Sequence, residues 1–168
     1  MPNVLTDFCC IDNNNKKSLK LDEETIPQRL CNCRKPADCP MSGKCLMKEI
    51  IYQCTVSCNG KEETYIGLTE NTFKQRYANH KASFKNKNLS NATELSKHIW
   101  HLKDSKQTYN IKWNIIRQAK AYRSKQKCHL CLWEKFYIIF KPEMASLNKR
   151  SEFMSTCRHA AKFLIYNI

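Results

Sequence analysis

The stretch Ile50-Ile51-Tyr52-Gln53-Cys54-Thr55-Val56, then Asn59-Gly60, then Glu63-Thr64-Tyr65-Ile66-Gly67 decides the fold. The first segment is rich in β-branched and aromatic residues and reads as a strand. Asn59-Gly60 is a strong hairpin signal, because both central turn residues must accept positive φ. Glu63 to Gly67 reads as the returning strand. A β-hairpin with a somewhat long turn is therefore expected over residues 50–68. Downstream, Asn71-Thr72 can open a helix on which Phe73, Tyr77, His80 and Phe84 recur at helical spacing. Asn91 or Thr93 can cap a second helix bearing Leu95, Ile99 and Leu102, and residues 111–116 alternate like a strand. The apolar run HLCLWEKFYIIF, residues 129–140, ends before Pro142 and is read as a helix. A last helix is expected over about residues 150–165. The expected class is α/β (α+β), with a small three-stranded antiparallel sheet flanked by helices and a cysteine-rich segment in front.

The chain has 168 residues, 11 cysteines, three glycines and a formal net charge of +14. No apolar run approaches a membrane span, and the N-terminus lacks a basic start followed by an apolar stretch. Without a secretory signal, metal-bound or free thiols are favoured over disulfides. Neither G-x-G-x-x-G nor G-x-x-x-x-G-K can be written with these glycines, so nucleotide cradles of that kind are excluded. The charge is uneven. Residues 1–44 have a net charge of +1 and residues 45–168 one of +13, so a polyanion partner would bind the second part. Three regions follow: a tether over 1–30, a cysteine-rich, zinc-binding type of segment over 31–47, and a basic domain over 48–168 with a C-terminal helical Cys/His extension.

Glu134 sits among Leu130, Leu132, Trp133, Phe136, Ile138 and Ile139. A carboxylate there is costly unless it is ion-paired, solvated or bound to a cation. Arg76 and His80 are i and i+4 on one helix and share a face. They form either a solvated basic face or a cation and a proton-transfer group aimed at one phosphate. Tyr52 and Tyr65 lie on adjacent strands and can face the same side.

Tyr65-Ile66-Gly67, preceded by Ile51-Tyr52, resembles the paired motif of the GIY-YIG nuclease superfamily. Arg76 and His80 as Arg-x-x-x-His, Glu134 on a later apolar helix, and Asn148 after it continue the resemblance across about residues 48–150. Ile50 stands where the motif has glycine. The flanks, with Cys31-Asn32-Cys33, Cys39-Pro40 and Cys45, resemble the endonuclease of Penelope-like retroelements, as do the blocks around Glu94 to His98, Cys128 to Cys131, Asn148 to Glu152 and Cys157 to His159. The resemblance implies a metal-dependent DNA endonuclease, a detached or truncated C-terminal portion of such an element, nicking target DNA in the nucleus. A reverse transcriptase or the element's RNA are the further partners it implies. Glu134 would hold Mg²⁺ or Mn²⁺; Tyr52, Tyr65 or His80 would take a proton; Arg76 would neutralise charge; Asn148 would position the metal site or phosphate. Gly67, Lys81, Lys97 and His98 are placed on nucleic acid, with His98 alternatively near the active site or capping its helix. Two other readings stay open: an inactive zinc-containing nucleic-acid-binding module, and a domesticated host nuclease selective for branched or damaged DNA.

Cys31, Cys33, Cys39 and Cys45 offer four thiols within 15 residues. Cys128 and Cys131, with Cys157 and His159, offer three thiols and an imidazole. Each set has the number and type of ligands of a closed structural Zn²⁺ site, or is a set of reduced or buried thiols. His101 or His129 could replace His159. The lysines are expected to give salt-dependent phosphate contacts. The aromatic residues do not interleave with them as in a single-strand stacking platform. Membrane binding is not expected, since the basic residues lack an amphipathic anchor.

Overall fold

The computed structural model describes residues 29–123 and 127–149. Residues 1–28, the expected helix over 150–165, Cys157 and His159 lie outside the described residues. Strand β1 (Ile50–Cys58) pairs antiparallel with β2 (Lys61–Thr69), and helix α1 (Phe73–Lys85) follows. Helix α2 (Glu94–Asp104), strand β3 (Asn110–Gln118) and helix α3 (His129–Phe140) complete the order. The sheet runs β2-β1-β3, so the strand carrying Tyr52 is central. No helix among the described residues is long and apolar enough to cross a membrane.

The hairpin turn is tighter than expected. Cys58 pairs with Lys61, leaving Asn59 and Gly60 alone in the turn, at φ 50° and 77°. Positive φ at both central positions matches the right-handed twist of the strands, so the pairing runs right up to the turn. Thr72 caps α1 by accepting from Gln75 N–H, and Thr93 caps α2 by accepting from Ser96 N–H. Each hydroxyl satisfies one of the donors that a helix start leaves unpaired.

Both faces of the sheet are covered. Ile50, Tyr52, Cys54 and Val56 alternate onto one face, with Tyr65, and pack with Phe73 and Phe84 of α1, Leu95, Ile99 and Leu102 of α2, and the cysteine-rich segment. Ile51 and Ile66 belong to the opposite cluster, with Leu130, Cys131 and Ile138 of α3. This is why Tyr52 and Tyr65 share a face although their neighbours Ile51 and Ile66 point away. Between Ile51 and Tyr52 the β1–β3 register slips, from Ile51 opposite Arg117 to Tyr52 opposite Ile115. Such a bulge re-aims a strand locally, and here it falls beside the first motif tyrosine.

Gly67 lies directly across from Tyr52 in the β1–β2 ladder. A Cβ at position 67 would stand 2.4 Å from Tyr52 Oη and 2.5 Å from its Cζ. The Tyr52 ring therefore occupies the space where another residue would place its side chain. Gly67 is itself buried, so its place in this fold is beneath Tyr52 rather than on a surface open to nucleic acid. Gly67→Ala should displace the Tyr52 ring and cost about 1–3 kcal/mol in unfolding free energy, as overpacking does. Urea denaturation checks this, and an unchanged midpoint and slope would contradict it.

Candidate active site and metal centre

The first helix turn past Thr72 brings Arg76 back over the sheet, and His80 follows one turn later on the same face. Arg76 Nε donates to Tyr52 Oη at 2.9 Å. Tyr52 Oη and His80 Nε2 are 2.7 Å apart. Tyr52 is wholly enclosed and His80 is 2% exposed. Their rings, with that of Tyr65, meet edge to face around His80, at centroid distances of 5.8 and 6.2 Å. Trp113 of β3 closes the cluster, 5.8 Å from Tyr52 and 5.2 Å from His80. The sequence carries no chemical signal for that role, since an aromatic in an alternating strand is ordinary core.

Burial, and then the Arg76 charge, push His80 down to about 3, so its imidazole is neutral near pH 7. Tyr52 already accepts from Arg76, so its own proton goes to His80 Nε2. This network assigns His80 the tautomer protonated on Nδ1. Burial pushes the Tyr52 phenol up to about 12, against the pull of Arg76 and with a further push from Glu134. Tyr65 is raised as well, by burial first, then by Tyr52 and Glu134. Burial works against the charge of Arg76, but Tyr52, Tyr65 and Glu134 outweigh it and hold its pKa above the usual value. Glu134, half-buried on α3, thus acts electrostatically on both tyrosines and on Arg76. Four of the six expected catalytic side chains meet directly, Tyr52, Tyr65, Arg76 and His80, and the charge of Glu134 is felt by three of them.

Asn148, the sixth, has a different orientation. Its Oδ1 accepts from Ile66 N–H at 2.8 Å and its Nδ2 donates to Ile66 C=O at 2.9 Å. Leu147 N–H also donates to Thr64 C=O at 2.9 Å. The side-chain amide therefore extends the ladder along the outer edge of β2 instead of reaching towards a metal or phosphate. It is a positioning residue, fixing the residue between Tyr65 and Gly67. His98 is in the interior of α2, so it does not cap that helix. Desolvation chiefly lowers its pKa. Lys97 is ion-paired with Glu94 at 2.9 Å, and Lys149 joins the same carboxylate at 3.3 Å. Lys81 is exposed, with Nζ 5.5 Å from the centroid of the Tyr77 ring.

Cys31, Cys33, Cys39 and Cys45 place their sulfurs within 4.8 Å of one another, an arrangement that could hold a metal ion. Cys33 Sγ and Cys45 Sγ are 3.7 Å apart, and Cys45 Sγ and Cys31 Sγ 3.6 Å. Thiolates bound tetrahedrally at a zinc–sulfur distance of ~2.3 Å stand about 3.8 Å apart, so the spacing is compatible with structural zinc. Backbone donors support the sulfurs: Gly43 N–H reaches Cys39 Sγ at 3.1 Å, and Cys33 N–H reaches Cys31 Sγ at 3.4 Å. Burial works to raise the Cys39 thiol, but the Met41 and Gly43 N–H groups overcome it and hold the pKa down to about 6. Burial pushes Cys45 up to about 12. The same segment docks on α1. Cys45 C=O accepts from Lys74 N–H at 2.7 Å, and Met47 C=O accepts from Phe73 N–H at 3.0 Å. Lys74 Nζ donates to Asn32 Oδ1 at 2.7 Å. The cysteine segment thus caps the helix that carries Arg76 and His80.

Only half of the second expected set falls among the described residues. Cys128 is buried and caps α3, its Sγ accepting from Cys131 N–H at 3.4 Å. Cys131 is buried one helical turn further on, and the other two members of the set, Cys157 and His159, lie outside the described residues. Among the described residues, the four-cysteine cluster alone groups three or more metal-ligating side chains closely enough for one ion.

Comparison with protein-family models, with curated proteins and with solved structures returned no match.

Stripping a metal from these four cysteines should lower the melting temperature and uncap α1. Calorimetry before and after a thiol-competing chelator, with metal content measured in parallel, tests this; an unchanged transition after full metal loss would contradict it. A second outcome concerns acid. His80 has a folded pKa of about 3 against 6.5 in its ordinary state, so the unfolded chain binds the extra proton in that interval. Its contribution to stability should be lost as pH falls from 6.5 towards 3. His80→Gln should flatten the pH dependence of stability in that window. An unaltered profile would contradict a buried neutral imidazole.

Proposed function

We propose that the chain is a metal-dependent DNA endonuclease of the GIY-YIG type that makes single-strand nicks. The observation that carries this reading is the hydroxyl of Tyr52, hydrogen-bonded between Arg76 and His80, with Tyr65 and Glu134 in electrostatic contact. A guanidinium, a neutral imidazole and a carboxylate around one enclosed phenol supply the three functions that phosphodiester hydrolysis needs: charge neutralisation, a proton acceptor and a cation ligand.

Arg76 binds a non-bridging oxygen of the scissile phosphate, and its fixed guanidinium suits the charge that builds up there. As the phosphate draws Arg76 off the Tyr52 hydroxyl, that hydroxyl is opened to the attacking water, takes a proton from it and passes its own to His80 Nε2. His80 is neutral and so open to that proton, and its low pKa makes it hold the proton only briefly. The water oxygen bonds to phosphorus, the bond to the 3′ oxygen breaks, and that oxygen takes a proton from solvent, to which His80 returns its own. Glu134 is the acidic side chain that bears on the cluster, which fits Mg²⁺ or Mn²⁺, ions that keep several waters and need few protein carboxylates. When bound, such an ion supplies Lewis acidity to the phosphate and the leaving oxygen. The cysteine cluster holds structural zinc, and the +13 of residues 45–168 supplies affinity for the DNA backbone. By the same reading, the nick exposes a 3′ hydroxyl for primed reverse transcription in the nucleus, with a reverse transcriptase or element RNA as partner.

Nicking of supercoiled plasmid with Mg²⁺ or Mn²⁺ tests the reading. Glu134→Ala and Arg76→Ala should each slow nicking by about 100-fold or more, the cost of removing one charge-stabilising group. Equal activity in all three proteins would reject the assigned site. A folded parent that binds DNA in a salt-sensitive manner without nicking it would favour the binding-module reading.

A further inference from the structure

A cleft of about 540 Å³ opens between the cysteine segment, α1 and β3, within the size range of small-ligand pockets. Tyr77 and Lys81 of α1, Lys112 and Trp113 of β3, the buried ring of Phe84, and Asp38 beside the Cys39 ligand line it. Tyr77 and Trp113 are half-buried, Lys81 and Lys112 exposed, so aromatic surface lies inside and cations at the rim. Tyr77 and Lys81 are one helical turn apart, and Lys112 and Trp113 are neighbours on an edge strand. In the sequence these pairs lie some thirty residues apart; the fold interleaves them. Tyr77 and Trp113 meet edge to face at 5.8 Å, forming a corner instead of a flat wall.

We propose that this cleft receives an unpaired nucleotide of single-stranded nucleic acid, its base against Tyr77 and Trp113 and its flanking phosphates on Lys81 and Lys112. The chemistry selects this occupant. Aromatic surface inside a cleft can be reached by a splayed base but not by one stacked within a duplex, whereas the rim cations serve any phosphate. A sequence-tolerant stacking contact also suits a chain with so large a net positive charge. Binding is read without turnover, so the proposal stands or falls independently of the nicking reaction.

The test is fluorescence anisotropy of a short labelled oligothymidylate, its duplex form and an abasic oligonucleotide of equal length. It uses the full chain with its cysteine-held metal, without Mg²⁺. The single strand should bind about tenfold tighter than the abasic strand, in keeping with one stacked base. Tyr77→Leu should remove that advantage, Tyr77→Phe should keep it, and neither should change binding of the duplex. Lys81→Glu with Lys112→Glu should weaken single-strand binding more than the charge-matched Lys61→Glu with Lys106→Glu. Abasic and base-bearing strands bound equally by the parent, or charge pairs weakened equally, would overturn the proposal. Those two comparisons decide even if Tyr77→Leu does not fold.

Discussion

One oxygen atom organises the candidate site: the hydroxyl of Tyr52. It accepts from Arg76, donates to His80 and lies over a strand position that has room only for glycine. Each of these relations constrains a different element. Gly67 belongs to β2, Arg76 and His80 to α1, and Tyr52 to the central strand. Moving any one of them breaks a contact with the hydroxyl. A buried hydroxyl that lost both partners would carry a desolvation cost of about 1–3 kcal/mol, so the arrangement stabilises the fold as well as the site. The bulge beside Tyr52 and the edge pairing of Asn148 with Ile66 belong to the same constraint, since they set the paths of the strands that hold the tyrosine and the glycine.

The cysteine cluster extends that constraint. Carbonyls of Cys45 and Met47 accept from the first two N–H groups of α1, while the Thr72 hydroxyl takes the third. A helix start needs such acceptors, and here a metal-compatible loop provides two of them. The position of Arg76 and His80 therefore depends on a site that contributes no atom to the chemistry. The same loop forms one wall of the Tyr77–Trp113 cleft through Asp38 and Cys39. A metal held by these cysteines would therefore be linked mechanically to the capping of α1 and to the shape of the cleft.

Much of this was legible in the sequence. The strand-turn-strand signal around Asn59-Gly60, the caps at Thr72 and Thr93 and the apolar run at 129–140 each match an element, because local propensity and tertiary packing agree there. The convergence of Tyr52 and Tyr65 follows from strand periodicity, and that of Arg76 and His80 from helical periodicity. What could not be read depends on pairs distant in the chain. The turn is tighter than expected because pairing extends through Cys58 and Lys61. Asn148 follows an irregular segment whose ladder partner, β2, lies 82 residues earlier, so nothing local reveals its orientation. Gly67 looked like part of a motif, but its necessity comes from the tyrosine opposite. The cleft draws its aromatics and lysines from α1 and β3, and no linear pattern interleaves them.

In the proposed reaction, phosphate binding at Arg76 and proton acceptance at His80 are joined through the Tyr52 hydroxyl. Tyr52→Phe removes that oxygen and little else. Single-turnover nicking by this variant, in protein shown by circular dichroism to be folded, is the most direct test. We expect a rate reduced by about 100-fold or more, in line with the loss of a general acid–base group. A folded Tyr52→Phe protein that nicks at the parent rate would contradict that role for the hydroxyl.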